Sequence, residues 1–158
     1  MNSSPIKLDQ TDKKILNILQ KQAKITNAQL SKDIDLSPAP TLERVKKLEN
    51  SGIIVSYHAK LNTQLLGLNV AGFVQVRLAK FNSKSVATFL EKIEEVDDVV
   101  ECHAVSGEYN YLLKIVAKDL PSYEAAVREK VGAIDEVGDV ASMMILSTGK
   151  DHKVIPVP

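Results

Sequence analysis

The sequence predicts an α+β fold in two parts: an N-terminal winged helix-turn-helix followed by a ferredoxin-like βαββαβ domain. Three observations carry that expectation. Residues 26–54 read as two short helices around a tight turn, the second with a basic outer face. Residues 91–101 are echoed at 129–139, an offset of 38 that also maps residues 78–80 onto 116–118. The net charge of zero hides a split: residues 1–62 hold ten Lys or Arg against six Asp or Glu, and residues 63–158 hold ten against fourteen.

The first helix spans Leu8 to Gln22, with Asp9 as its cap and Leu8, Ile15, Ile18 and Leu19 at helical spacing. The second runs from Thr26 to Ile34; Thr26 or Asn27 can accept an unpaired first-turn N–H, and Leu30 and Ile34 share a face. The break is Asp35-Leu36-Ser37-Pro38. Ser37 is a natural N-cap, Pro38 fits the first helical position, and Pro40 is still within the first turn. Leu42, Val45 and Leu48 then predict a buried stripe, and Gly52 a left-handed C-terminal cap. The β-branched run Ile53 to Leu61 predicts a small two-stranded wing, and Asn62 to Gly67 a short connector. These elements make residues 1–62 one domain and 63–69 a linker.

In the second domain, 70–150, strands are expected at Val70–Lys80, Val99–Ser106, Tyr111–Lys118 and Val137–Ser147. Helices are expected at Lys84–Glu95, with Val86, Phe89, Leu90 and Ile93 inward, and at Pro121–Val131, with Tyr123, Val127 and Val131 inward. That order, β-α-β twice over, is the split ferredoxin-like arrangement. Residues 151–158 are left as a tail.

Composition narrows the function. With 44% apolar residues in 158, each half holds only a small core, so dimerisation is expected on physical grounds. No apolar run reaches the ~20 residues a bilayer span needs, and Met1 to Pro5 is not a secretory start. The single Cys102 cannot form an internal disulfide, as suits a reducing cytoplasm. His58, His103 and His152 are scattered without metal-ligand spacing. Cys102 and His103 adjoin in a strand and so point to opposite faces. With no phosphate loop and no nucleophile–base pair, nothing points to an enzyme or a cofactor.

The expected reader of double-stranded DNA is the Ser37–Asn50 helix. Ser37, Ala39, Thr41, Arg44 and Lys47 are assigned to its outward face. Small residues near its start let it sit deep in a major groove. Ser37 and Thr41 can meet phosphate, Arg44 a base edge or phosphate, and Lys46 and Lys47 backbone charge. The hairpin Ser106-Gly107-Glu108-Tyr109-Asn110 has two readings. It can be a tight turn, since Gly107 and Asn110 tolerate positive φ. It can also be a nest of N–H groups for a small carboxylate, with Tyr109 or Asn110 orienting the ligand.

On these residues the chain resembles the Lrp/AsnC family, the leucine-responsive or feast/famine transcription regulators, over roughly residues 7–150. The resemblance is carried by Leu8-Asp9, Asp12, Ile15-Leu16, Leu30-Ser31, the run Leu36 to Glu49, Gly52-Ile53-Ile54, and the run Glu101 to Leu113. It implies a second domain that dimerises, dimers that commonly gather into an octamer, and an amino acid bound between dimers against the glycine hairpin. Gly107, Glu108, Tyr109, Asn110 and the facing Ser142 would form that effector site. The family often has Gly where this chain has Asp35, and Asp where it has Asn110. With that charge gone and Ala141 opposite, an apolar effector such as leucine or methionine is expected.

The resulting expectation is a cytoplasmic, nucleoid-associated regulator, a homodimer or octamer, reading a roughly palindromic operator in grooves about one helical turn apart. Two readings share the motifs: an architectural protein that wraps DNA without a ligand, and an amino-acid sensor acting on a protein partner.

Overall fold

The computed structural model describes residues 7–151 and 154–158, so Met1–Pro5 and His152 lie outside the described residues. The chain forms two compact units, Met1–Lys60 with Lys150–Pro158, and Leu61–Gly149.

The first unit holds α1 (Gln10–Leu19), α2 (Asn27–Asp33) and α3 (Pro38–Asn50). Asp9 and Asp12 close a reciprocal capping box on α1, and Thr26 caps α2 by accepting from the Gln29 N–H. The turn between α2 and α3 is a Schellman closure: the Leu36 N–H donates to the Ser31 carbonyl at 2.9 Å and the Asp35 N–H to Lys32 at 3.3 Å. That closure needs a left-handed residue, and Asp35 takes it at φ 57°. The same closure ends α3, with Gly52 left-handed and Ile53 donating to Leu48 at 3.2 Å. Ile15, Leu16, Leu19, Leu30, Ile34 and Leu48 form the core.

Three expectations for this unit are corrected. Residues 53–61 carry no strand pairing, so the wing is an irregular segment; β-branched propensity without a partner strand makes no ladder. Leu42 is 44% exposed, outside the buried stripe. The tail is not separate from the first unit. The Gln20 carboxamide donates to the Ile155 carbonyl at 3.2 Å and accepts from its N–H at 2.7 Å. Val157 packs against the helical core. These apolar tail residues, with α1 and residues 53–58, line a cavity of about 480 Å³.

The second unit holds β1 (Val70–Leu78), α4 (Ser83–Glu94), β2 (Val99–Ala104), β3 (Tyr111–Ala117), α5 (Leu120–Ala125), a π-helical continuation (Ala126–Val131) and β4 (Val137–Met144). The sheet order is β2-β3-β1-β4, antiparallel throughout, as the ferredoxin-like reading requires. β2 and β4 begin at 99 and 137, which keeps the offset of 38 seen in the sequence. Asn82 and Asp119 cap the two helices. Val74, Val76, Leu113, Ile115 and Phe89 are fully buried. Leu90, expected inward, is 42% exposed. The second helix departs from α geometry after Ala125 because Ala126 and Val131, five apart, are both fully buried. A π turn closes i→i+5 bonds and holds such a pair on one side.

Candidate DNA-reading helix and effector-binding sheet

α3 has one buried face and one free face. Thr41 and Leu48 are buried, whereas Ala39, Leu42, Glu43, Lys46, Lys47 and Asn50 are exposed. Ser37 has extended backbone, as an N-cap should, but its side chain makes no capping bond. Its carbonyl instead accepts from the Thr41 N–H at 3.3 Å and the Thr41 hydroxyl at 2.9 Å. Asn27 on α2 donates to the Pro38 carbonyl at 2.8 Å and fixes the start of α3.

Two predicted DNA contacts change role. Thr41 is fully buried, so it faces the core and its hydroxyl is spent within the helix. Arg44 turns toward α1 and donates to Asp9 at 2.6 Å and Asp12 at 2.7 Å. Asp12 is nearly buried, and its carboxylate pulls the guanidinium inward. The Asp12 backbone N–H, followed by Arg44, holds the Asp9 carboxyl below its ordinary value. The two aspartates in turn raise the Arg44 guanidinium. Arg44 therefore locks α3 to the first turn of α1. Ser37, Ala39, Lys46 and Lys47 remain on the surface as predicted. Beyond α3, the Tyr57 phenol donates to Glu49 at 2.9 Å. Burial, and then that bond, pushes Tyr57 up to about 12.

In the hairpin after β2, Asn110 bonds within the sheet. The Asn110 N–H donates to the Val76 carbonyl at 2.9 Å, and its side-chain oxygen accepts from the Leu78 N–H at 2.8 Å. It thereby closes the register shift that the β1–β4 pairing shows at Arg77 and Leu78. The side-chain oxygen of Asn110, read from the sequence as ligand-orienting, is thus committed to the sheet. Arg77 pairs with Asp139 at 2.9 Å and Glu108 at 3.5 Å, and its guanidinium lies 5.9 Å over the Tyr109 ring. Gly107 has φ 127°, so the tight-turn reading holds.

Ser142 lies elsewhere, on the helix side of β4. Its hydroxyl shares a 2.7 Å bond with Tyr123 of α5. These two lie in an open cleft of about 460 Å³ with Leu120, Glu124, Val127, Arg128 and Met144. Sequence reading missed Tyr123 as part of this site. The signal was Gly72 inside a strand, which marks close approach: a Cβ there would overlap the Tyr123 hydroxyl and sit 2.8 Å from the Met143 carbonyl. Cys102 is half-buried against the core, and burial, followed by Glu94, pushes its thiol up, away from reactivity.

Comparison with known proteins meets this geometry. Residues 8–55 match the winged helix-turn-helix DNA-binding family model, and residues 71–155 match the Lrp/AsnC ligand binding domain. The chain belongs to the Lrp/AsnC family. It is 36% identical over 152 residues to the transcriptional regulator AzlB of Bacillus subtilis, covering 96% of this chain and 97% of that protein. It is also 36% identical over 143 residues to the leucine-responsive regulatory protein of Escherichia coli, covering 90% and 87%. Among solved structures it matches a Neisseria meningitidis transcriptional regulator in complex with L-Met at TM-score 0.91 and 32% identity, covering 95% of this chain and 97% of that one. AsnC of Escherichia coli matches at TM-score 0.85 and 25% identity, covering 95% and 99%. This Lrp/AsnC chain is thus a DNA-binding transcriptional regulator with an amino-acid-binding domain. No helix among the described residues is long and apolar enough to cross a membrane.

Proposed function

We propose that this regulator reads DNA with Ser37, Ala39, Lys46 and Lys47 of the α3 face. In this reading an apolar amino acid such as leucine or methionine sets its assembly and its affinity for DNA. One observation carries the first half: α3 buries Thr41 and Leu48 while its opposite face keeps two lysines and a free Ser37 hydroxyl, the layout a polyanion requires. It acts by binding, without catalysis, at the cytoplasmic nucleoid.

The cleft around Ser142 supports the effector half. Glu124 and Arg128 bring opposite charges that suit an ammonium and a carboxylate, and Leu120, Val127 and Met144 line an apolar wall. The methionine held by the similar Neisseria regulator agrees with such a ligand. Gly107, Glu108 and Tyr109 would close on the effector from a neighbouring dimer, as the family resemblance implies. The sheet's helix-free face supports a homodimer, and the family resemblance extends this to an octamer. On that face Phe73, Leu112 and Val116 alternate with the buried positions and Met143 is 46% exposed.

Titration calorimetry with the twenty amino acids, combined with sizing and mobility shifts on selected operator DNA, tests both halves. Leucine or methionine should bind and should change particle size or DNA affinity. Tight lysine binding with neither apolar ligand bound would refute the effector reading. Intact DNA wrapping with no amino acid bound at all would leave the architectural role instead.

A further inference from the structure

We propose that Leu42 and Glu43 read bases: Leu42 meets a thymine 5-methyl group, and the Glu43 carboxylate accepts from the exocyclic amine of a cytosine. This rests on the reading that α3 enters the major groove, and it names residues that charge alone does not mark.

Two observations carry it independently. Leu42 is 44% exposed on a helix whose later apolar residues, Val45 and Leu48, turn toward the core. An apolar side chain displayed on a surface built for a polyanion gains nothing from phosphate. The thymine methyl is the apolar feature the major groove displays. Leu42 also neighbours Ala39, whose small side chain lets the helix approach closely.

Glu43 stands two positions after buried Thr41, so on a 3.6-residue turn it points almost directly away from the core. Its carboxylate makes no hydrogen bond or ion pair among the described residues. Yet Lys46 and Lys47 stand three and four residues on, the spacing at which helical ion pairs form. A free carboxylate at the centre of this face is repelled by every phosphate. It becomes favourable only opposite an amine donor. Cytosine N4 presents such a donor, while adenine sets the N7 acceptor beside its amine and repels an anion there. Glu43 thus penalises most registers and admits one that offers cytosine, which is selection by rejection.

The experiment uses the full chain, with sequences selected from a random duplex pool by the wild type, Leu42→Ala and Glu43→Gln. Both residues are exposed, so the variants should fold, and thermal unfolding confirms it. Glu43→Gln should lose about tenfold of its discrimination at one cytosine position, within the range of a single base contact. It should also bind random DNA more tightly than the wild type. Replacing the contacted thymine by uracil, which removes only the methyl, should weaken wild-type binding about threefold and leave Leu42→Ala unaffected. Selected sequences identical for all three proteins would overturn the inference while leaving groove binding intact. So would a change of oligomeric size in Leu42→Ala without a change in base preference. A wild-type chain that shifts no duplex from the pool would instead bring down the groove reading itself, and this assignment with it.

Discussion

Lys46 and Lys47 on α3 have no ion-pair partner among the described residues, whereas Arg77 at the end of β1 is engaged three ways, by Asp139, Glu108 and the Tyr109 ring. All three are exposed cations, and on the proposed reading the difference matches the size of what each region binds. Duplex DNA presents a row of phosphates, so loose surface lysines suffice and gain by having no competitor. A small amino acid offers one carboxylate and one ammonium, so its site needs groups with spare valences in a concave place. In the hairpin, Asn110 commits its N–H and its side-chain oxygen to closing the sheet. In the cleft, Tyr123 and Ser142 bond each other, while Glu124 has no ion-pair partner among the described residues.

The sharpest way to break this contrast is at Arg44, a cation of the reading head that behaves like Arg77. Arg44→Ala leaves Asp12 nearly buried without its partner, and should lower stability by about 2 kcal/mol. DNA affinity should fall alike on specific and random sequences, because the whole helix loosens. Chemical denaturation alongside binding titrations checks this. A variant as stable as the wild type that has lost preference at one base would return Arg44 to the base-reading role.

The corresponding change in the other unit is Asn110→Ala, with an expected loss of about 1 kcal/mol from the unpaired Leu78 N–H. Asn110→Asp keeps an acceptor and should recover most of that loss. Calorimetry on both variants decides what the hairpin does. Unchanged stability with abolished amino-acid binding would make Asn110 a ligand group and erase the contrast.

The two units are alike in what their sequences reveal. Local chemistry was readable in both. Asp9, Thr26, Gly52 and the left-handed Asp35 are visible because a cap involves residues only a few positions apart. The duplicated half-domain was visible because its elements repeat at a fixed offset. What sequence reading missed depends on distant partners. Arg44 looked like a DNA contact because its acids lie 32 and 35 residues away, across the helical core. Asn110 looked available because its partner Leu78 lies 32 residues back, at a sheet irregularity no periodicity announces. Thr41 was misplaced for a nearer reason: its hydroxyl suggested a polar face, while its spacing from Leu48, seven residues or two turns, set it inward.

A smaller effect is expected at Lys46. Lys46→Ala should reduce the slope of log affinity against log salt by about one and weaken all sequences alike, as for the loss of one phosphate contact. Stability should not change, since the side chain is exposed. Binding measured across a salt series separates it from Arg44→Ala, whose loss should leave the slope nearly intact. Equal slopes for Lys46→Ala and the wild type would mean that this lysine meets no phosphate.

The finest test uses acid, and Asp9 sets its sign. Its carboxyl lies below the ordinary 3.8 when folded, held first by the Asp12 N–H and then by Arg44. A group with a lowered folded value stabilises fully above its unfolded value, and the contribution is lost as the pH falls through the folded one. Asp9→Asn keeps a capping oxygen but does not titrate. At neutral pH the variant should melt slightly earlier than the wild type, and the two should converge as the pH falls through the folded value, below 3.8. A gap that persists or widens in acid would show that the clamp between α1 and α3 draws nothing from the Asp9 charge. Asp12 alone would then hold Arg44 inward.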